Sequence, residues 1–314
     1  MSQTTGDQGL RSLKSTCVIL WHYGSPERLE DIPAFLSGIV PPSMLTSYTE
    51  IYSKKYSYIG WSPQNHRVNS LANKLKLSLN GGHAEFGVLT GSKHWKPSLK
   101  GSLELAVKKG FNRAFVIPLI PFRSKWLLSE YTEALSQWVG DNRGFDVTLV
   151  DGFYDHPAYV SNWVEQIRAL LDELSDQAGK TAVVTSFHAI PLGKLSQEEA
   201  YLEQTKWLHS QVALKLPDVR TELSYQSAAT TRVKWSKPSV VETMIQLSRE
   251  DYSNIVVAPM GFVYDHLETI FDIDVVLKEA GIVAGVNVFR VPAPNDSDWF
   301  ATMLAELVRA NARA

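Results

Sequence analysis

The chain has 314 residues, of which 44 % are hydrophobic and 20 % charged, and its formal net charge is −2. This length accommodates two domains of ordinary size, and the small net charge argues against nucleic acid as a partner. The single cysteine, Cys17, excludes an intrachain disulfide and a cysteine-ligated zinc or iron–sulfur site.

The first fifteen residues are polar and lack the apolar stretch of a signal peptide, so residues 1–15 are predicted to be a disordered lead-in. No apolar run approaches the ~18 residues that a transmembrane helix needs. We therefore expect no transmembrane segment and a cytoplasmic protein.

Apolar runs typical of strands alternate with helix-like stretches from residue 16 onwards. Strands are predicted at 16–22, 84–90, 113–119, 147–150, 181–187, 220–225, 254–260 and 286–291. Helices are predicted at 69–77, 98–109, 129–139, 158–175, 198–214, 239–249, 267–280 and 299–311. This alternation predicts an α/β protein with parallel sheets covered by helices on both faces. We expect an N-terminal half at 16–155, a C-terminal half at 156–296, and a last helix within 297–314 that packs back on the first half.

The two halves carry signs of an internal duplication. An apolar run ends with Tyr23 three residues before a proline, and a second run ends with His188 in the same place. The segments 96–118 and 237–259 both open with Lys-Pro-Ser, and their two prolines are 21 residues apart. Ligands bind at the carboxyl ends of the strands in such sheets, so we expect Tyr23 and His188 to face one cleft between the halves.

Two groups at these strand ends are candidates for chemistry. The imidazole of His188 has an ordinary pKa near neutrality, which suits proton transfer or metal contact, although backbone groups could equally hold it. Asp265 and Glu268 have the spacing of a helix capping box, whereas Glu268 and Asp272 share one helical face that could guide a divalent cation or protons. Both interpretations of Glu268 stay open. No complete zinc motif or nucleotide-binding glycine motif is present.

Aromatic residues give weak support for a large flat ligand. A cleft for such a ligand needs aromatic walls, and several aromatic residues are predicted at or near loops that leave strands. These residues are Trp21, Tyr23, Tyr56, Tyr58, Trp61, Trp126 and Phe187.

The motifs around these residues resemble those of the ferrochelatases, enzymes that insert ferrous iron into a porphyrin. The stretch Ser-Phe-His-Ala-Ile-Pro at 186–191 resembles the family signature Ser-Ala-His-Ser-Leu-Pro. Asp-His-Leu-Glu-Thr-Ile at 265–270 resembles the signature Ser-Asp-His-Ile-Glu-Thr-Leu, and Tyr-Gln-Ser at 225–227 resembles a third. The resemblance covers residues 17–280 and implies two similar Rossmann-like halves, each a parallel sheet flanked by helices, with the active-site cleft between them.

The resemblance also implies roles for individual residues. His188 and Glu268 would be the catalytic pair, and the metal would meet His188, Glu268 and Asp272. The porphyrin would contact Tyr23, Lys55, Tyr56, Ser62 and Ser124. Tyr23 and the segment 55–63 look more like the bacterial coproporphyrin-type enzymes than the protoporphyrin type.

The expected function is insertion of ferrous iron into a porphyrin, first of all coproporphyrin III, with release of two protons in haem biosynthesis. Iron is then a substrate, and no permanently bound cofactor or iron–sulfur cluster is expected. The loop 37–42 lacks the arginines that coproporphyrin enzymes offer to propionates, and Val276 stands where the family often has an acidic residue. Two alternatives stay open: a chelatase for another metal or tetrapyrrole, and a non-catalytic haem-binding or haem-delivery protein. We expect a monomer, with a haem-delivery protein as a possible partner.

Overall fold

Two four-stranded parallel sheets form the centre of the computed structural model, which describes residues 16–80, 86–194, 199–229 and 233–313. In strand order β2-β1-β3-β4, the first sheet contains β1 (Thr16–His22), β2 (Phe86–Ser92), β3 (Arg113–Pro118) and β4 (Asp146–Leu149). In strand order β6-β5-β7-β8, the second contains β5 (Lys180–His188), β6 (Arg220–Gln226), β7 (Tyr252–Ala258) and β8 (Asn287–Arg290). The predicted lead-in at 1–15, strand start at 84–85 and helix start at 198 lie outside the described residues.

Helices connect and cover these strands. Those of the first half are α1 (Ile32–Ser37), α2 (Leu45–Ile59), α3 (Gln64–Leu79), α4 (Leu99–Lys108) and α5 (Lys125–Asp141). Those that follow are α6 (Pro157–Glu173), α7 (Tyr201–Lys215), α8 (Val240–Arg249), α9 and α10 (Asp298–Arg313). Helix α9 is α-helical over Leu267–Thr269, widens to a π-helix over Ile270–Leu277, and returns to an α-helix over Lys278–Ala284. Among the described residues, no helix is both long and apolar enough to cross a membrane.

The strand and fold-class predictions are confirmed. Every residue of β1 is buried, because helices cover both faces of a parallel sheet, and such strands show as continuous apolar runs in the sequence. Helices α1 and α2 were not predicted, and the placement of Tyr56 and Tyr58 in a loop leaving a strand was wrong, since both lie in α2. Serine, threonine and tyrosine are weak helix formers, so this segment does not look helical. Its tyrosines recur every four residues and contact one another along the helix.

The two halves repeat each other in detail. The Lys-Pro-Ser serines, Ser98 and Ser239, both cap the helix that follows, α4 and α8. Each serine also bridges to the carboxyl end of the edge strand that comes first in its sheet order, Ser98 to Ser92 of β2 and Ser239 to Tyr225 of β6. The shared strand order and caps put Tyr23, directly after β1, and His188, the last residue of β5, at similar strand ends.

The largest apolar core joins the two halves. It contains Val18 and Phe115 of the first sheet, Val183 and Val256 of the second, and Phe300 of α10. Helix α10 packs against α3 and α6, so the last helix of the chain contacts the first half. This shared core places the carboxyl ends of β1 and β5 near each other.

Candidate active site

The end of β5 and the first turn of α9 bring an imidazole and a carboxylate together. His188 Nε2 lies 3.5 Å from Glu268 Oε2, and 30 % and 40 % of these side chains are exposed. On its other side, His188 Nδ1 lies 2.6 Å from the carbonyl oxygen of Ala189. Because Nδ1 donates to this carbonyl, Nε2 is the ring atom that faces Glu268 and gains or loses the proton. The backbone of His188 is fixed by the Tyr201 hydroxyl, which donates to its carbonyl (2.8 Å).

Each member of this pair changes the pKa of the other. Burial disfavours the charged imidazole, but the Glu268 carboxylate, the Ala189 carbonyl and the Asp272 charge together outweigh burial and raise the pKa of His188 above its ordinary value. Burial also acts to raise the pKa of Glu268, but the positive charge and hydrogen bond of His188 lower it to about 2. Glu268 is therefore ionised at neutral pH, and His188 is a stronger base than an isolated imidazole.

The N-terminal cap of α9 does not involve the carboxylate of Glu268. His266 caps the helix. Its ring Nδ1 accepts a hydrogen bond from the backbone N–H of Glu268 (3.0 Å), and its backbone N–H donates to Thr269 Oγ1 (2.9 Å). Asp265 instead pairs with Arg290 and Asn295. The capping box considered for Asp265 and Glu268 is therefore wrong, and the Glu268 carboxylate is left to face His188.

The π-helical part of α9 carries the second carboxylate. An α-helix ending at residue 280 was predicted, but the helix is wider in its middle and continues to Ala284. Asp272 Oδ2 accepts a hydrogen bond from the Ser227 hydroxyl (2.7 Å), and Oδ1 lies 4.0 Å from Lys55 Nζ. Burial raises the pKa of Asp272, and the negative charge of Glu268 adds to this increase. Asp272 thus continues the acidic surface one turn behind Glu268.

Gln226 holds both members of the pair in place. Its side chain accepts from the Ser186 hydroxyl (2.6 Å) and donates to the backbone carbonyl of Glu268 (3.1 Å). Its own carbonyl accepts the N–H of Ala189 (2.8 Å), the residue whose oxygen contacts His188. The sequence singles out Gln226 only through the Tyr-Gln-Ser motif. Its register opposite His188 on the neighbouring strand is the structural reason for this role.

The first half contributes one wall of the candidate cleft, and Tyr23 forms this wall. Its side chain is 39 % exposed, and its ring lies 4.6 Å from the His94 ring and 6.2 Å from the Phe35 ring, measured between centroids. The backbone N–H of Tyr23 donates to the Tyr264 hydroxyl (3.3 Å), which links the two halves. Burial raises the pKa of Tyr23 and the charge of Glu268 raises it further, so the phenol is protonated at neutral pH.

His22, the residue before Tyr23, is a buried polar group that supports the position of Tyr23. His22 lies between Gln64 and the Ser92 hydroxyl, which is 3.1 Å from its Nε2. We assign the Gln64 amide with its oxygen towards His22 Nδ1 (3.1 Å) and the N–H of Gly24 (2.9 Å), and its nitrogen towards the Gly24 carbonyl (3.3 Å). Burial lowers the pKa of His22 to about 4, so this ring is neutral and structural. Gln64 thereby fixes the residues on both sides of Tyr23.

Two of the remaining expected porphyrin contacts lie on α2. Lys55 Nζ is 4.9 Å from the centre of the Phe271 ring and close to Asp272, so it belongs to the acidic side of the cleft. Tyr56 is buried, its ring stacks on Trp61, and its hydroxyl lies 3.4 Å from Ser25 Oγ. Tyr56 is therefore part of the packing behind the wall.

The last two expected contacts are serines at helix starts. Ser62 Oγ accepts the N–H of Gln64 (3.3 Å) just before α3. Ser124 is fully buried, and its hydroxyl caps α5 by accepting the N–H of Leu127 (3.1 Å). A fully buried side chain offers no surface to a ligand, so we exclude Ser124 from the site.

The side chains that could bind a metal ion lie one after another along the site and do not surround a single point. Across the described part of the chain, no group of three or more histidine, cysteine, aspartate or glutamate side chains could hold a metal ion. His188 and Glu268 meet at the cleft, whereas Asp272 lies one turn further along α9. Carboxylates and an imidazole in this order suit a divalent cation that passes through.

Comparison with known proteins identifies similar sequences over nearly the whole chain. The family model described as ferrochelatase matches residues 15–312. A ferrochelatase of Geotalea daltonii is 27 % identical over 317 residues, covering 95 % of this chain and 98 % of the relative. A coproporphyrin III ferrochelatase of Geobacillus kaustophilus is 28 % identical over 304 residues, covering 94 % and 95 %.

Two solved structures show that the fold is similar to that of known tetrapyrrole-pathway enzymes. The cobalt complex of the sirohydrochlorin chelatase from Bacillus subtilis subspecies spizizenii matches with a TM-score of 0.62 and 9 % identity, covering 95 % of this chain and 96 % of that chain. A siroheme-biosynthesis enzyme of denitrifying bacteria matches with a TM-score of 0.55 and 13 % identity, covering 94 % and 98 %. At these identities the likeness shows the fold alone.

Proposed function

Because this chain belongs to the ferrochelatase family and is thus a lyase-class metal chelatase, we propose that it inserts ferrous iron into coproporphyrin III in haem biosynthesis. The observation that carries this proposal is the position of the Glu268 carboxylate. It is not part of the helix cap and lies 3.5 Å from His188 Nε2, at the carboxyl end of β5. Such a pair is suited to accept protons where a cation arrives.

Metal insertion requires that two pyrrole nitrogens lose their protons while ferrous iron takes their place. In our proposal His188 Nε2 accepts a pyrrole proton, and the ionised Glu268 stabilises the imidazolium that results. Glu268 and Asp272 guide the iron towards the ring, because carboxylate oxygens bind divalent cations. Each proton leaves His188 by way of these carboxylates, so one turnover consumes one ferrous ion and releases two protons.

Tyr23, on the other side of the ring, has a different role in this proposal. Tyr23 faces the metal from the other side of the ring, and its phenol is protonated before the metal arrives. A bound cation lowers the pKa of a group that it contacts, so Tyr23 releases its phenol proton to solvent and becomes a phenolate ligand only after iron is in place, and it takes up a proton again when the product leaves. The ammonium group of Lys55 offers a positive charge to a carboxylate on the rim of the macrocycle.

Coproporphyrin III is preferred over protoporphyrin IX for two reasons. Relatives that are named coproporphyrin III ferrochelatases match 94 % of this chain. Tyr23, the feature that resembles those enzymes in the sequence, has its side chain partly exposed and in electrostatic contact with Glu268. We further propose that the enzyme is a cytoplasmic monomer without a resident cofactor, which passes its product to a haem-delivery partner.

A metal-insertion assay tests this proposal. Purified protein is mixed anaerobically with ferrous iron and either coproporphyrin III or protoporphyrin IX, and the loss of porphyrin fluorescence is followed. We expect insertion into both rings, with a higher kcat/KM for coproporphyrin III. Zinc, cobalt and nickel in place of iron test the metal preference. Absence of insertion with every metal would favour a haem-binding protein, and a higher kcat/KM for protoporphyrin IX would reject the substrate assignment.

A further inference from the structure

The segment that carries Glu268 is held from the side by Asn295. The N–H of Asn295 donates to the Val263 carbonyl (2.8 Å). Its amide exchanges two hydrogen bonds with Asp265: Oδ1 accepts the Asp265 N–H (2.8 Å), and Nδ2 donates to Asp265 Oδ2 (2.8 Å). Asn295 has a φ of +53°, a left-handed conformation that asparagine adopts more readily than most residues. The chain thus turns sharply here and presents both backbone and side chain to the segment before α9.

The next residue, Asp296, is bound to the other half of the protein. Its Oδ1 accepts from Arg67 Nη1 (2.8 Å), and its Oδ2 accepts from the Ser70 hydroxyl (2.6 Å). Arg67 and Ser70 both lie on α3, and only 17 % of the Asp296 side chain is exposed. Two hydrogen bonds to one half-buried carboxylate are stronger than an ordinary surface ion pair.

Helix α3 also holds the opposite wall of the cleft. Its first residue, Gln64, bonds the residues on both sides of Tyr23, and Ser70 follows six positions later. Six residues of α-helix span only about 9 Å, so both contacts belong to one rigid unit. Counted from Tyr23, a continuous series of contacts runs through α3, Asp296 and Asn295 to the segment that begins α9.

We propose that Asn295 and Asp296 form a strap between the two halves. The strap fixes the distance between Tyr23 and Glu268, so Asn295 and Asp296 are positioning residues. The strap rests on the proposed function in one respect: a rigid macrocycle held between two walls requires a fixed separation. A misplacement of about 1 Å costs up to ~10²-fold in rate. Among the described residues, the two sides are also joined directly, by the long contact from the Tyr23 N–H to the Tyr264 hydroxyl (3.3 Å) and by the packing of Leu267 against Phe35 and Tyr56.

The chain provides a matched control for this strap. Lys74 Nζ and Asp298 Oδ1 lie 2.8 Å apart and join the same helix, α3, to the start of α10. The Asp298 side chain is 89 % exposed, and it makes no contact with the segment before α9 among the interactions of the described residues. Asp298→Ala therefore removes an exposed ion pair between the same two parts of the chain without touching the strap.

The test combines hydrogen exchange with the insertion assay on the full chain. We compare the unchanged protein with Asp296→Ala, Asn295→Gly and Asp298→Ala; glycine retains the left-handed backbone and removes only the amide. In Asp296→Ala and Asn295→Gly we expect amide exchange in peptides over 263–269 to be about fivefold faster or more, with no change in the core strands. We expect kcat for insertion to fall about tenfold in these two variants. Asp298→Ala should stay within about twofold in both measurements.

The two measurements, hydrogen exchange and metal insertion, distinguish a failure of the strap proposal from a failure of the proposed function. If exchange over 263–269 is unchanged in Asp296→Ala and Asn295→Gly, the strap is wrong, whatever the unchanged protein inserts. If exchange rises there but kcat matches that of Asp298→Ala, the residues are structural and the positioning role is wrong. If exchange rises but the unchanged protein inserts no metal, the strap stands as a structural link, and it is the proposed function that fails.

Discussion

Replacement of Gln226 by leucine should damage insertion far more than its effect on stability explains. The side chain joins the Ser186 hydroxyl to the Glu268 carbonyl, and both contacts are lost in Gln226→Leu. A buried polar group without a partner costs about 1–3 kcal/mol, so two such groups lower the free energy of unfolding by at least about 2 kcal/mol. Release of the Glu268 backbone also lets the carboxylate move relative to His188. Loss of such a supporting contact typically costs about 10–100-fold in activity.

Gln204 provides a control with the same burial. Gln204 and Gln226 are both 7 % exposed, and each amide satisfies two buried partners. The Gln204 amide accepts the N–H of Arg123 (2.8 Å) and donates to its carbonyl (3.0 Å), in a loop outside the cleft. Gln204→Leu should therefore lose a similar amount of stability, measured by urea unfolding, and retain kcat within about twofold.

The assay is steady-state insertion at a temperature well below both unfolding transitions. We expect kcat of Gln226→Leu to fall at least tenfold below that of Gln204→Leu, with a similar KM for the porphyrin. If the two variants have equal stability and equal kcat, Gln226 is a packing residue, and our account of how Glu268 is held is refuted.

Three further variants test the two walls of the cleft. His188→Ala should lower turnover ~10²–10⁴-fold while porphyrin affinity, measured by fluorescence titration, is retained; turnover within about threefold of the unchanged protein would exclude His188 as the base. Glu268→Gln should lower turnover and move the apparent pKa of the pH–rate profile to lower pH, because the carboxylate is what raises the pKa of His188. Its thermal stability should change little, since His266 caps the helix, and preserved activity would contradict its role. Tyr23→Phe should alter the visible spectrum of the ferric haem complex while insertion continues, and an unchanged spectrum would show that Tyr23 is not a ligand.

The sequence predicts strands well and one set of helices poorly, for physical reasons. Strands such as β1 and β5 are buried on both faces, so their apolar runs show in the sequence without knowledge of their neighbours. Helix α2 has no such signal, because its residues are weak helix formers and only Tyr56 among them is buried. Local spacing likewise does not reveal the π-helical part of α9, in which Asp272 and Asp274 make tertiary contacts with Ser227 and Arg290.

Motifs locate the site residues, but the orientation of their side chains has to come from the structure. The spacing of Asp265 and Glu268 fits a capping box as well as a catalytic carboxylate, and only the position of His266 at the helix start decides between them. Similarly, nothing in the local sequence distinguishes a buried serine that caps α5, Ser124, from one that contacts a ligand. The contacts of Gln226 and Asn295 join segments 42 and 30 residues apart, beyond the reach of any local pattern.

The Glu268 carboxylate affects the pKa of one residue in each half, His188 and Tyr23. His188 and Tyr23 occupy similar strand ends of two similar halves, and Glu268 raises the pKa of both, whereas burial lowers that of His188 and raises that of Tyr23. For a base that gains a positive charge, burial opposes the proton-bound form, but the charge and hydrogen bond of Glu268, with the Ala189 carbonyl and Asp272, favour it more, so the pKa of His188 rises. For Tyr23, burial raises the pKa first, and the same charge opposes formation of a second anion. The imidazole is thereby prepared to receive a proton, while the phenol retains its own until a cation arrives. In our proposal, proton transfer and iron entry therefore take place on the face of the ring that Glu268 and Asp272 serve, and Tyr23 on the other face acts only as a ligand once iron is in place.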